Sequence, residues 1–497
     1  MICVTIGRGR HASLVEEWKA AAEAGAQLVE LRVDCLRREP DLKRLLKERF
    51  TPIVFTARRG ADGGLWKGDE EKRLRLLREA IVAGVEYVDL EADIAGQIRR
   101  FGKTKRIISY HDFQAVPADL DELFSSLKEK DPDIAKVAAL AGTTLEASRL
   151  LKYASTLNTP TIAIAMGMPG FFTRILNAKY GAPFTYSGFN PDRTFAPGMP
   201  RLREVRDDYK QEQIDAETEI YAVVGDPIGH SLSPAVHNAA FRQLKMNRVL
   251  VPIQVPAGEL AATLEALSWL KIKGISVTIP HKEAVIALLD RVDKSVERAG
   301  ACNTVVYDAE GRSVGHNTDY RAAMNSLEDE LGGPRSDGSS PLVDKQVLIL
   351  GAGGVARTIA FGLARRGAGV TICARDDEKG TKLAEAAGCR SASWSLRAST
   401  LHDILINCTP VGMHPKVDET PVPPAAFKAG TVVFDTVYRP ENTLFLKLAR
   451  ERECTTITGV DMFVQQAALQ FEYYTGKSAP IDLMRDVVKQ KLSAAQE

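Results

Sequence analysis

The sequence predicts an α/β protein in which an N-terminal (β/α)8 barrel precedes a bilobal α/β half, and three observations carry that prediction. From Met1 to about Leu202, short β-branched runs alternate with helical patterns. A polar, highly charged stretch at 202–219, poor in β-branched residues, then reads as a terminal helix plus linker. Beyond it a new α/β pattern opens at Tyr221, and a Gly/Ser/Pro/Asp-rich stretch at 332–344 divides it in two. A length of 497 residues agrees, because it is too long for one hydrophobic core.

In order, the first region offers ICVTI, QLVELRVD, PIVFTAR, VEYVDLE, RIISYHDF, DIAKVAAL and TIAIAMG, with a weaker eighth strand near Phe184 to Phe189. Eight strands within about 200 residues fit the short end of the closed barrel better than an open sheet. In such barrels the C-terminal strand ends carry the active site. Glu30, Arg32, Arg58, Glu91, His111 and Lys136 all fall in or at the ends of these strands.

The composition excludes several classes. Hydrophobic residues make up 45% and charged residues 26%, as in ordinary globular chains, so disordered and collagen-like readings drop out. The formal net charge of +1 gives no global bias toward nucleic acid, and any anion must be held locally. Seven scattered cysteines, never spaced as C-x-x-C, argue against a disulfide framework or a zinc site, so no metal is expected. No leader-like apolar run follows the first charges, and no stretch is apolar enough to cross a membrane. The expectation is a cytoplasmic protein with small-molecule substrates and neither nucleic-acid nor membrane partners; its oligomeric state is not legible.

Lys136 lies in an apolar strand, where an unpaired ammonium is costly. It is either paired with a carboxylate such as Glu91 or used as an amine nucleophile. With a reference pKa of ~10.4 an amine is neutral only rarely at pH 7, so imine formation requires desolvation or a cationic neighbour. His111 ends the preceding strand and suits general acid/base work. The acid of EYVDLE, the imidazole of SYHDF and the lysine of IAKVA come from three consecutive strands, so one barrel mouth would gather them.

These segments, with VELRVD, FTARRGADGGLWKGDEEKR and MGMPGFFTR, resemble type I 3-dehydroquinate dehydratase over nearly all of residues 1 to 205. The resemblance implies that Lys136 forms an imine with the substrate ketone, that His111 moves the proton and that Glu91 orients His111. It further implies that Arg174 grips the carboxylate while Glu30, Arg32 and Arg58 contact the ring hydroxyls. One departure stands out. Where the family usually has Ser-Ala-Pro-Gly-Gln, this chain reads Phe195-Ala196-Pro197-Gly198-Met199, replacing two hydrogen-bonding side chains by apolar ones.

In the second half, KQVLILGAGGVARTIAFGLARRGAGVTICARDD sets Gly351-x-Gly353-x-x-Ala356 between a strand and an amphipathic helix. Those glycines permit a tight turn and close backbone approach, and the helix N-terminus offers N–H donors to a pyrophosphate. The Rossmann-type turn thus comprises Gly351, Ala352, Gly353, Gly354, Val355 and Ala356. About 20 residues on, Arg375 suits the 2′-phosphate of NADP, while Asp376 leaves NAD possible.

GDPIGHSLSP, GISVTIPHKEAV, GACNTV, GHNTDYRAA, NCTPVGM, FDTVYRPENTLFLKLA and GVDMFVQQAALQFEYYTG together resemble shikimate dehydrogenase over about 218 to 490. That resemblance implies Lys282 and Asp319 as the catalytic pair. Ser231 and Ser233 would hold the substrate carboxylate, Thr278, Asn303 and Gln466 the ring hydroxyls, and Tyr438 would lie near the substrate. Thr409 and Gly459 would flank the cofactor. This chain departs from the family at Ser276, at Ala322 and at Ala374-Arg375-Asp376.

The expected domains are therefore 1–207, 218–330 completed by C-terminal helices at about 460–490, and 343–458. The expected function is dehydration of 3-dehydroquinate to 3-dehydroshikimate, then NADPH-dependent reduction to shikimate. One alternative is a shikimate or quinate dehydrogenase with an impaired barrel; another is a non-catalytic metabolite sensor.

Overall fold

The structure is a computed structural model describing residues 1–336 and 338–494, so Asp337 of the 332–344 stretch lies outside the described residues. The chain divides into two compact units, Met1–Pro234 with Met246–Ile272, and Ala235–Lys245 with Lys273–Glu497.

The first unit contains the expected barrel. Its strands are β1 (Ile2–Ile6), β2 (Leu28–Arg32), β3 (Ile53–Thr56), β4 (Tyr87–Glu91), β5 (Lys105–Asp112), β6 (Ile134–Leu140), β7 (Thr161–Met166) and β8 (Thr185–Gly188). They form an eight-stranded sheet in the order β7-β6-β5-β4-β3-β2-β1-β8. Every recorded pairing is parallel, and helices cover the outside, as at His11–Glu23 and Glu70–Val82.

Strand alternation then fixes what faces inward. Cys3, Leu28, Val54, Ile107, Ile134, Ile162 and Phe184 pack together as an apolar floor. Two or four residues further along the same faces come Glu30, Arg32, Asp89, Glu91, Ser109, His111 and Lys136. The register sets Glu91 beside Ser109 and Ser109 beside Lys136. A continuous core below and a ring of charge above thus follow from one alternation. After the barrel, residues 202–208 are helical, closing in the π-helical segment Glu204–Asp208, and a single 3-10 turn at Gln211–Gln213 follows. The parallel strands β9 (Glu219–Gly225) and β10 (Arg248–Gln254) also belong to this unit.

The second unit holds two sheet regions. One contains β11 (Gly274–Val277), β12 (Arg291–Val292), β13 (Thr304–Tyr307) and β14 (Ser313–His316), in which β13 pairs antiparallel with both β11 and β14. The other contains β15 (Gln346–Leu350), β16 (Gly369–Ala374), β17 (Arg390–Ser393), β18 (Ile404–Asn407), β19 (Val432–Asp435) and β20 (Thr455–Ile457). Its order, β17-β16-β15-β18-β19-β20, is the 3-2-1-4-5-6 arrangement of a doubly wound dinucleotide fold. Strand order reverses between β15 and β18, where such sheets open a crevice for ligands.

Candidate active sites

In the barrel, Glu30, Arg32, Arg58, His111, Lys136 and Arg174 line one pocket together with Tyr186, Phe195 and Met199. Lys136 is 5% exposed, and its Nζ donates to Asp89 Oδ2 at 2.9 Å. Glu30 Oε1 is 4.0 Å from the same nitrogen, which also sits 4.0 Å from the centre of the Tyr186 ring. Thr5 and Thr56 donate to the two Glu30 oxygens at 2.7 and 2.9 Å and so hold that carboxylate in place.

Asp89 is wholly enclosed. Arg58 Nη2 pairs with it at 2.8 Å and Ser109 Oγ donates at 2.6 Å. Arg58 and Lys136 hold its carboxyl far below the usual range, against the upward push of burial, so the ion persists at any working pH. The His111 imidazole is pushed well below its ordinary value, first by burial and then by the charges of Arg58 and Lys136. It is therefore neutral at pH 7, the state in which a histidine can accept a proton. Arg174 is 1% exposed, its Nε has no partner, and Nη2 donates to the Pro197 carbonyl at 3.2 Å. Burial lowers this guanidinium to about 10, so it remains a cation and the pocket favours an anion beside it.

One expectation is corrected here. Glu91 does not orient His111, because its two oxygens accept from Arg58 Nη1 at 3.0 Å and Arg73 Nη1 at 2.8 Å. Two guanidinium groups outcompete a neutral imidazole for one carboxylate. His111 Nδ1 is left without a partner. The carboxylate that meets Lys136 is Asp89, which the sequence reading passed over. Its signal was present in EYVDLE, since residues two apart on a strand share a face. Nothing in the sequence announced Arg73, which reaches in from the helix Glu70–Val82.

In the first unit, Ser231 and Ser233 form a turn in which Ser231 Oγ accepts from the Ser233 N–H at 3.3 Å, and the helix Ser233–Gln243 begins there.

In the second unit, Lys282 Nζ donates to Asp319 Oδ2 at 2.6 Å. Asp319 is free to do so because Asn317 caps the helix Thr318–Glu330, its Oδ1 accepting from the Tyr320 N–H. Asn303 bonds Thr318, the residue before Asp319. Its Nδ2 donates to Thr318 Oγ1 at 2.9 Å and reaches Gln466 Oε1 at 3.5 Å, while its Oδ1 accepts from the Thr318 N–H. Behind Asn303, Gln470 Nε2 donates to the Asn303 carbonyl and to Thr304 Oγ1, both at 3.0 Å. Ser276 Oγ donates to Gln470 Oε1 at 3.1 Å, so this departure from the family is absorbed by a buried network. Thr278 lies just past β11 and its carbonyl accepts from the His281 N–H.

The glycine turn occupies the β15/β18 crevice. Gly351 has φ of +111°, and a Cβ there would stand 2.9 Å from the Cys408 carbonyl and 3.2 Å from Thr409 Cγ2. Only glycine fits that approach. By contrast a Cβ at Gly353 or Gly354 would meet nothing within 4 Å, leaving an open cradle at the start of the helix Gly354–Arg365. That helix has no side-chain cap and no acid in its first turn, so its leading N–H groups suit a phosphate. Thr409 is fixed by Asn407, whose Oδ1 accepts from its N–H and hydroxyl. Gly459 lies tight against Val437 and Tyr438, a Cβ there falling 2.3 Å from the Val437 carbonyl, and the Tyr438 ring packs tilted against Phe463 with ring centres 5.3 Å apart. Asp376 caps the helix Asp377–Ala387 and pairs with Lys379, whereas Arg375 is exposed.

Comparison with known proteins matches the same division. The family model for type I 3-dehydroquinase covers residues 2–216, and those for the shikimate dehydrogenase substrate-binding and C-terminal domains cover 223–305 and 459–489. The chloroplastic bifunctional 3-dehydroquinate dehydratase/shikimate dehydrogenase of Arabidopsis thaliana is 37% identical over 97% of this chain and 83% of its own length. The chain belongs to that bifunctional family. Its dehydrogenase half is 41% identical to the NADP+ shikimate dehydrogenase of Moorella thermoacetica, covering 57% of this chain and 97% of that protein. Among solved structures, a shikimate dehydrogenase in complex with NADP+ aligns at a TM-score of 0.52 and 34% identity, over 56% of this chain and 97% of its own. The Aquifex aeolicus shikimate dehydrogenase aligns at 0.50 and 32%, over 56% and 99%. Among the described residues of this bifunctional chain, no group of side chains is arranged to hold a metal ion and no helix is long and apolar enough to cross a membrane.

Proposed function

We propose that the barrel dehydrates 3-dehydroquinate through an imine on Lys136, and that the second half reduces the resulting 3-dehydroshikimate to shikimate with NADPH. The observation carrying this reading is the placement of a buried lysine, a neutral histidine and an arginine whose Nε has no partner in one barrel pocket.

Lys136 Nζ attacks the substrate ketone, and loss of water leaves an iminium ion that acidifies the neighbouring C–H. Asp89, at 2.9 Å, supplies the fixed negative charge facing that nitrogen. Neutral His111 takes the carbon-bound proton and returns it to the departing hydroxyl, which leaves as water. Arg174 holds the carboxylate, and hydrolysis of the imine frees the enone acid and Lys136.

For the second reaction, the cradle at Gly353 and Gly354 and the exposed Arg375 fit a dinucleotide pyrophosphate and a 2′-phosphate. The bound nicotinamide would supply the hydride. Asp376 is committed to Lys379 and to its own helix end, so NADP is favoured over NAD. Lys282, hydrogen-bonded to Asp319, would place a proton at the substrate oxygen, with Asn303, Gln466 and Thr278 on the ring hydroxyls. The dehydratase would occupy 1–207, the substrate-binding domain 218–330 with the C-terminal helices at about 460–490, and the dinucleotide domain 343–458.

Borohydride treatment with 3-dehydroquinate followed by peptide mass analysis tests the first reaction. The expected adduct lies on the peptide bearing Lys136; dehydration with the adduct elsewhere removes the mechanism.

A further inference from the structure

In the barrel pocket Glu30, Arg32, Arg58 and Lys136 are engaged by neighbouring side chains, whereas His111 Nδ1, Arg174 Nε and the Tyr186 hydroxyl have no partner. Arg32 spends Nε and Nη2 on the two oxygens of Asp34, at 2.9 and 2.8 Å. Its guanidinium lies 5.3 Å from the centre of the Phe195 ring, which covers it further. Another part of the lining is built from Phe195, Ala196, Met199 and Met166, whose side chains carry no nitrogen or oxygen.

This apolar wall is clamped in place. The Pro197 carbonyl accepts from the Gly167 N–H at 3.1 Å, and the Gly188 N–H donates to the Pro200 carbonyl at 2.9 Å. Gly198, at φ of +64°, packs so closely that a Cβ would fall 2.8 Å from the Gly167 carbonyl. Gly7 leaves the space the Phe195 ring fills, since a Cβ there would be 3.0 Å from ring carbons. Phe195 and Met199 are therefore fixed parts of the pocket wall.

A ring hydroxyl turned to carbon and sulfur is not read. A site that hydrogen-bonds a hydroxyl rejects the analogue lacking it by about 10⁴–10⁵, whereas an apolar pocket separates the two by only about 10². We propose that this barrel leaves unread one of the two ring hydroxyls that survive dehydration. It thereby also dehydrates cyclic β-hydroxy ketone acids that lack that hydroxyl. The chemistry is unchanged: the ketone condenses with Lys136, His111 takes the proton, the β-hydroxyl leaves as water and imine hydrolysis restores the amine, with net loss of one water and no redox partner. The proposal rests on the dehydratase reading above and names its substrate class.

The test uses the full chain with 3-dehydroquinate and two analogues, each lacking one surviving ring hydroxyl, and follows the ultraviolet band of the enone. For one analogue kcat/KM is expected within about a hundredfold of that for 3-dehydroquinate. Phe195→Ser or Met199→Gln, checked for folding by circular dichroism, is expected to worsen that ratio by at least about tenfold. Losses beyond about a hundredfold for both analogues overturn the proposal while leaving the dehydratase intact, as does a ratio that neither variant moves. Absence of both dehydration and a Lys136 adduct with 3-dehydroquinate itself sinks the dehydratase reading and this proposal with it.

Discussion

Lys136 and Asp89 face each other at 2.9 Å in a pocket that water barely reaches, and the consequences are local. Asp89→Asn removes the charge that balances Arg58 as well as Lys136, so unfolding free energy is expected to drop by about 3–5 kcal/mol, measured by chemical denaturation. Glu91→Gln should weaken folding too, through Arg58 and Arg73, yet leave the pH profile of borohydride trapping unaltered because Glu91 touches neither Nζ nor His111. His111 gives a signed expectation. Its folded value lies well below 6.5, so the neutral base persists as pH falls through 6.5, and the His111 contribution to dehydratase kcat/KM should hold there and decline only at markedly lower pH. An acid limb of kcat/KM centred at 6.5 that His111 substitution removes would contradict this. Folding linkage has the same origin: below 6.5 the unfolded chain binds a proton that buried His111 refuses, so this residue erodes stability as pH falls. Lysine and histidine were legible because their types are unusual at apolar strand ends. The choice between Asp89 and Glu91 was not, since both face inward and the deciding guanidinium comes from a helix 18 positions before Glu91.

Whole elements explain the crevice of the second half. The β15–glycine–helix unit could be read in sequence because a turn needing φ of +111° with a carbonyl 2.9 Å from the Cβ position tolerates only glycine. Arg375 and Asp376 looked equivalent as charges after a strand, and helix capping separates them, Asp376 accepting from the Lys379 N–H. Arg375→Ala is therefore expected to raise KM for NADPH about 10- to 100-fold, the worth of one charge-assisted contact, with KM for NADH unmoved in steady-state assays. Asp435, at the end of β19, offers a second test. Burial pushes its carboxyl up to about 6 even though Thr443, Val437 and Asn407 all donate to it. A raised carboxyl binds its proton more tightly folded than unfolded, so stability falls as pH rises from 3.8 toward about 6. Asp435→Asn lacks this titration, and its melting temperature relative to the parent should climb between pH 4 and pH 7.

At the scale of the molecule, Lys136 and His111 belong to one compact unit while Lys282 and Asp319 belong to the other. Lys136→Met should abolish dehydration and spare reduction of added 3-dehydroshikimate. Asp319→Asn should cut the reduction about 10²- to 10⁴-fold and spare dehydration. Separate assays on each variant check this, and loss of both activities from either change would refute independent sites. The amino-acid order alone determined the two fold classes, the eight barrel strands and the nucleotide turn, because alternation, β-branching and glycine requirements act within a few neighbouring residues. Tertiary structure alone decided which carboxylate meets Lys136, that Glu91 serves two arginines instead of His111, and that Ser276 joins Gln470 behind Asn303. Those outcomes depend on charges and hydrogen-bond partners arriving from distant segments, and no local pattern of residues encodes which of several inward-facing groups will be closest.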